Sequence, residues 1–313
     1  MPVKLVTSGV QYSNETVRTS AKWAVRAIFG YGFGTQVTNI MNLVNQYGDI
    51  ALDATNVART TKYRLAAASY GGDKAIFAFG SQSAYQSNLV SELGVVSADI
   101  TAIANSRWSL AAAGYGGDKA IFAFGATGSI GSPTNQTTTN LISNTGVVAS
   151  DTSGSGPARR ELAAASYGGD KAIFGYGVTG GFSYTQVNTI NLVSNLGVVS
   201  SDTTNVGTAR FQLAAAGYGG DKAIFAYGLY TIITNLVSNL GIVAADVTGA
   251  GTARQGLAAA GYGGDKAIFG YGYNVSQTKL NIYNKVSNTG IVSSDSTGVG
   301  TARNQLAAAS YSS

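Results

Sequence analysis

The sequence predicts an all-β fold: a six-bladed β-propeller with four antiparallel strands per blade, closed by the C-terminal strand joining the first blade. Three observations predict it. A 16-residue block, LAAASYGGDKAIFAFG at 65–80, recurs almost unchanged from Leu110, Leu162, Leu213 and Leu257. A second module, NLVSNLGVVSSDTTNVGTAR at 191–210, echoes between the blocks, so each unit breaks into four short segments. A sixth copy is split, with WAVRAIFGYG (Trp23 to Gly32) near the start and LAAASY (Leu306 to Tyr311) at the end. Four strands repeated six times, with 44 to 52 residues between successive LAAA leucines, is the count of a propeller.

Each element has a local reason. LAAASY could form helix on alanine propensity, but Tyr-Gly-Gly-Asp stops the run after six residues, too short for a helix. The Gly-Gly-Asp step suits a tight turn because Gly and Asp tolerate positive φ, which makes LAAASY and KAIFAFG an antiparallel pair. Val, Ile, Phe and Tyr then mark KAIFAFG, NLVSN and GVVSSD as strands, each bounded by Gly, Asn, Asp or Ser. Small alanines suit an inner strand where blades crowd the axis, and the Ile and Phe of the next strand suit the space between blades. Residues 21–313 form the propeller on this reading. Residues 1–20 are an extension, expected to be a docking arm or a degenerate strand pair.

Composition excludes much chemistry. The 313 residues contain no His and no Cys, which removes Cys/His zinc sites, thiolate nucleophiles, disulfides and imidazole bases. The net charge of +5 is spread along the chain without Lys/Arg clusters, so no nucleic-acid contact is expected. The N-terminus has no apolar signal region and no stretch of 18 apolar residues occurs, so a soluble chain without membrane insertion is expected. GYGGDKA lacks the spacing of a phosphate loop and leads into a strand. Glu15, Glu92 and Glu161 are the only glutamates, and none has a context that nominates a catalytic carboxylate pair. No enzyme activity and no cofactor are expected.

The Arg and small-residue strand, the Gly-Gly turn and the aromatic strand ending in Gly resemble a kelch-type propeller repeat across residues 21 to 313. A single Gly stands where kelch repeats usually carry two, and the outer-strand Trp is missing. The near-identical Ala/Gly/Thr-rich units are also similar to repeat proteins among bacteriophage virion components. That resemblance implies a virion structural protein of tail, fibre or head, assembled in bacterial cytoplasm with other virion or assembly proteins as partners. Otherwise a cytoplasmic or surface-associated protein is expected.

Two sets of residues carry the expectations about sites. Asp73, Asp118, Asp170, Asp221 and Asp265, each followed by Lys, are expected to serve the turns. Arg107, Arg159, Arg210, Arg254 and Arg303, each eight residues after an Asp, are expected to stabilise the return loop or bridge blades, with Lys62 in the Arg position of one repeat. Individuality lies in the loops between the aromatic strand and the NLVSN strand, which vary from 6 to 14 residues. They carry Phe33, Tyr85, Phe182, Tyr184, Tyr230, Tyr273 and Tyr283 among Asn, Gln, Ser and Thr, a composition suited to adaptable recognition. The expected function is a non-enzymatic structural and binding protein that docks by one face and recognises a partner or host-surface glycan with the other. The alternative is a lectin with repeated sugar pockets between blades.

Overall fold

The computed structural model of the protein describes residues 25–55, 60–81, 86–101, 105–204 and 207–312. It also gives the backbone of three short N-terminal strands, Lys4–Val6, Gly9–Gln11 and Val17–Arg18, paired in an antiparallel sheet of their own. The fold is an all-β propeller of six blades. Its inner strands are Ala66–Tyr70, Ala111–Tyr115, Ala163–Tyr167, Ala214–Tyr218, Ala258–Tyr262 and Ala307–Ser312. Each touches the next, and the last touches the first, so they ring a central axis. The C-terminal strand closes the ring by pairing with Val25–Gly30, from Ala307↔Gly30 to Ser312↔Val25.

Burial follows the pleat. Along the inner strand Ala66, Ala68 and Tyr70 are buried while Ala67 and Ser69 are half-exposed, the period-two alternation of a strand with one face in the core. The second strand, such as Lys74–Ala78, is buried at every position after its Lys. It lies between neighbouring blades on both faces, which explains why AIFA is continuously apolar. Aromatic pairs span every joint around the ring: Tyr31–Phe77, Phe79–Phe122, Phe124–Phe174, Tyr176–Phe225, Tyr227–Phe269 and Tyr271–Phe29, with centroids 5.2–5.7 Å apart. Such pairs contribute about 0.5–1.5 kcal/mol each beyond the area they bury.

The fourth strand departs from expectation. GVVSSD does not run as one strand, because the register against the third strand slips by one residue between Val193↔Val199 and Ile190↔Thr203. The same slip occurs in all six blades. It is a β-bulge, and the third-strand Asn fills it: Asn191 Nδ2 donates to Ser200 O (3.0 Å) and Asp202 Oδ1 (2.6 Å). Beyond the bulge the outer strand is two residues long in four blades, at Ile100–Thr101, Thr203–Thr204, Val247–Thr248 and Ser296–Thr297. Single bridges, Met41↔Ala54 and Thr139↔Thr152, hold that place in the first and third blades.

Two faces follow from this topology. The turns joining strands one to two and three to four lie on one side, the turn face. The loops joining strands two to three and the returns to the next blade lie on the other, the loop face. In the three-to-four turn of the fourth blade, Gly197 has φ +81° and a Cβ there would sit 3.0 Å from the Tyr115 ring of the preceding blade. Glycine is thus required there both for backbone conformation and for contact between blades.

Candidate functional site

The repeated arginines staple the blades. Arg254 lies 4.1 Å over the Tyr227 ring of the fifth blade. Its Nε donates to Tyr271 O (2.9 Å) and its Nη2 to Asn284 Oδ1 (2.6 Å), both in the sixth blade, and its Nη1 lies 3.8 Å from Asp295. Arg159, Arg210 and Arg303 are also fully buried and repeat the pattern. Arg107, 1 % exposed, keeps the Asn contact (Asn140 Oδ1, 2.6 Å) and the Asp151 contact (3.5 Å). The carboxylate partner is therefore the Asp of the following blade, not the Asp eight residues earlier in the same loop. Lys62 takes this place between the first and second blades, reaching Asn88 Oδ1 (2.7 Å) and Asp99 (3.6 Å). There Tyr31 Oη adds a bond to the same Asn88 oxygen.

Burial lowers the Arg107 and Arg159 guanidinium pKa values to about 10, with Asp151 and Asp202 opposing the shift, so both stay cationic at neutral pH. At Asp53, Asp99, Asp151, Asp246 and Asp295 burial acts to raise the pKa. Hydrogen bonds from a return-loop Thr or Asn and the strand Asn, with the nearby cation, outweigh it and hold these carboxyls below their usual value. A depressed folded pKa gives stability that is present above the unfolded value near ~3.9 and lost as pH falls through the folded one. With no His to titrate, the melting temperature should stay flat from about pH 8 to 5 and decline below about pH 5. Thermal melts across that range check this, and a flat curve down to pH 3 would contradict it.

The five Asp–Lys pairs sit on the turn face, each Lys Nζ 2.7–2.9 Å from its own Asp and roughly two-fifths exposed. Their turns are linked around the axis through backbone bonds such as Gly71 N to Asp118 O and Gly116 N to Asp170 O, both 2.7 Å.

The aromatic candidates divide. Tyr85 lies outside the described residues. Tyr283 is not in a loop: it sits in the third strand of the sixth blade, packed against the joint with the first. Phe33, Tyr184, Tyr230 and Tyr273 lie on the loop face, each against another ring: Tyr63, Phe211 and, for the last two, each other. Tyr273 is mostly buried; its hydroxyl accepts from Gln255 Nε2 and donates to Gln212 Oε1 (2.8 Å). Burial pushes its pKa up to about 12.

The two longest loops are not irregular. They form hairpins, Ala126–Ser129 with Ser132–Asn135 and Val178–Gly180 with Tyr184–Gln186, standing side by side on the loop face. Arg160 clamps them, donating to Asn135 Oδ1 (2.8 Å), Gly180 O (2.8 Å) and Gly181 O (3.1 Å). Phe182, 83 % exposed, and Ile130 are left at the tips.

Sequence reasoning missed the centre of this face. The residue before each LAAA leucine, namely Arg64, Ser109, Glu161, Gln212, Gly256 and Gln305, lies around the axis with φ of 52–64°. The N–H of each donates to the C=O of the preceding one, and Arg64 N to Gln305 O completes a closed ring of six bonds at 2.7–2.9 Å. Inside it lies a cavity of about 70 Å³ floored by the six leucines. Arg64 and Glu161 approach to 3.6 Å, and Gln212 Nε2 donates to Glu161 (3.1 Å). Arg64 also covers Trp108, whose indole N–H donates to Gly128 O. Glu161 therefore does have a singular setting. The signal was available, since this position changes while the next four residues barely do.

Comparison with known protein families and with curated proteins finds no match to this chain. The kelch likeness therefore rests on the repeat residues alone, and the six-bladed propeller on the strand topology.

Proposed function

We propose that the protein is a non-enzymatic binding protein that recognises its partner through the loop face. In this reading it serves as a component of a bacteriophage virion, in tail, fibre or head, with a host-surface glycan as the favoured ligand. The observation that carries recognition is the segregation of sequence. The scaffold residues repeat in every blade, whereas the residues that differ gather on one face, around the axial ring and on the paired hairpins. Exposed Phe182 and Ile130 beside polar Asn, Thr and Ser form a surface on which an aromatic ring can stack against a sugar while neighbours supply hydrogen bonds. The virion assignment comes from the likeness of the repeats.

A second reading is a lectin with repeated pockets between blades; the stacked cation and aromatic pair that fill the joint interiors favour the asymmetric loop face over it. The test is binding of the labelled full chain to purified bacterial surface polysaccharides, with stoichiometry by calorimetry. One site per chain, weakened tenfold or more in F182A/I130S, is the expected result. A stoichiometry near six would restore the repeated-pocket lectin, and undiminished binding in the variant would move recognition away from the hairpins.

A further inference from the structure

The turn face has a character opposite to the loop face. Each of its six three-to-four turns pushes at least one large apolar side chain into solvent. Leu93, Leu196, Leu240 and Ile291 are 65–78 % exposed, as are Val198 and Tyr47. The exposure is built in. In the fourth blade Ser194 Oγ accepts from the N–H groups of Leu196 and Val198, and Gly197 N donates to Ser194 O, which holds the tip with both side chains pointing away from the sheet. These tips abut the inner Gly-Gly-Asp turns, since Asn144 Nδ2 donates to Asp118 Oδ2 (3.1 Å). The result is an apolar rim around an inner circle of alternating Asp and Lys.

We infer that this face is a self-association surface that pairs with the same face of a second copy of the chain. Charge argues for a copy over a charged partner. The chain as a whole is +5, yet among the described residues the five Lys–Asp pairs and Lys285 with Asp49 set each cation of these turns beside an anion. Two such faces do not repel. A face-to-face pair about a twofold axis can set the Lys of one turn opposite the Asp of another, because an isologous contact uses one patch on both copies. The inner circle is held in place by the turn-to-turn backbone bonds, so little ordering is needed on contact. Size is adequate: four strands at about 4.8 Å spacing on either side of the axis give a disc roughly 40 Å across, whose face exceeds the ~800 Å² per partner of a standard interface.

The inference does not depend on what the loop face binds. The test is light scattering coupled to size exclusion on the full chain at about 50 µM, far above a micromolar Kd. The expected mass is about 64 kDa, twice the 31.9 kDa chain. L93K/L196K/L240K should elute as a monomer with an unchanged melting temperature, because all three side chains are exposed. F182K on the loop face should remain a dimer. A monomeric wild type overturns the inference. A dimer that survives the triple Lys variant, or an open-ended oligomer, overturns it as well.

Discussion

Removing residues 306–313 is expected to abolish cooperative folding of the propeller. Leu306, Ala307, Ala309 and Tyr311 are each 3–5 % exposed. Their burial contributes on the order of 7 kcal/mol at ~2.5 kcal/mol for each large side chain and ~1 for each alanine. The deletion also strips the inner strand from Val25–Gly30, leaving that buried strand as the unpaired edge of the first blade. Contacts on both sides go with it: Ser69 Oγ loses Ser310 O, Ser310 Oγ leaves Gly261 O, and the turn at Asp73 loses Ser312 N. A loss of this size matches the whole stability of an ordinary domain. Circular dichroism and thermal melting of the truncated chain measure it, and a melt indistinguishable from the full chain would show that the ring is held elsewhere.

Arg254→Ala is expected to cost about 3–5 kcal/mol, the usual consequence of breaking a buried, hydrogen-bonded charge site. The substitution leaves Tyr271 O and Asn284 Oδ1 without their donors inside a dry joint and uncovers the Tyr227 ring. For a chain of this length that corresponds to a melting temperature lower by roughly 5–8 °C. Arg254→Lys should cost less than half as much. The protein makes that replacement itself at Lys62, where the ammonium still reaches the strand Asn and lies near Asp99. A lysine ammonium lacks the planar fork that lets arginine meet the strand Asn and the carbonyl before the closing glycine together; at its native site it donates to Gln86 O (3.3 Å) as well, and the Tyr31 hydroxyl adds a bond to the same Asn88 oxygen. Chemical denaturation of both variants gives the comparison. Equal losses for Ala and Lys would mean that neither stem nor charge suffices and that the planar guanidinium, stacked on Tyr227 and forked to two acceptors, is itself required.

The blade count, the inner and second strands and the closing strand were legible because they depend on short-range signals that repeat: small residues at the axis, a glycine turn and a continuously apolar second strand. The joint was only half legible. The Arg and Asp residues stand out in sequence, but each Asp serves the Arg of the preceding return loop, and pairing across blades is not written in a spacing along the chain. The bulge in the fourth strand was invisible because GVVSSD has the composition of a continuous strand, and only the buried Asn191 opposite it forces the slip. At the candidate site, aromatic content drew attention to Tyr283, which lies half-buried in a strand, while Phe182 sits where the loop composition suggested. Arg64 and Glu161 escaped notice because nothing in their neighbourhood resembles a motif. Their significance comes from meeting near the axis, 97 positions apart.

The closed circle of six backbone bonds has a consequence for how such a protein can change. It is made without a single side-chain atom, and the residue types it holds, Arg, Ser, Glu, Gln and Gly, have little in common. Architecture and surface chemistry are thereby written in separate alphabets, one in the main chain and one in what projects from it. Any residue that tolerates the positive φ of these six positions can replace another and keep the same clasp. The axis of the loop face is thus the place where surface chemistry can change at least risk to the fold.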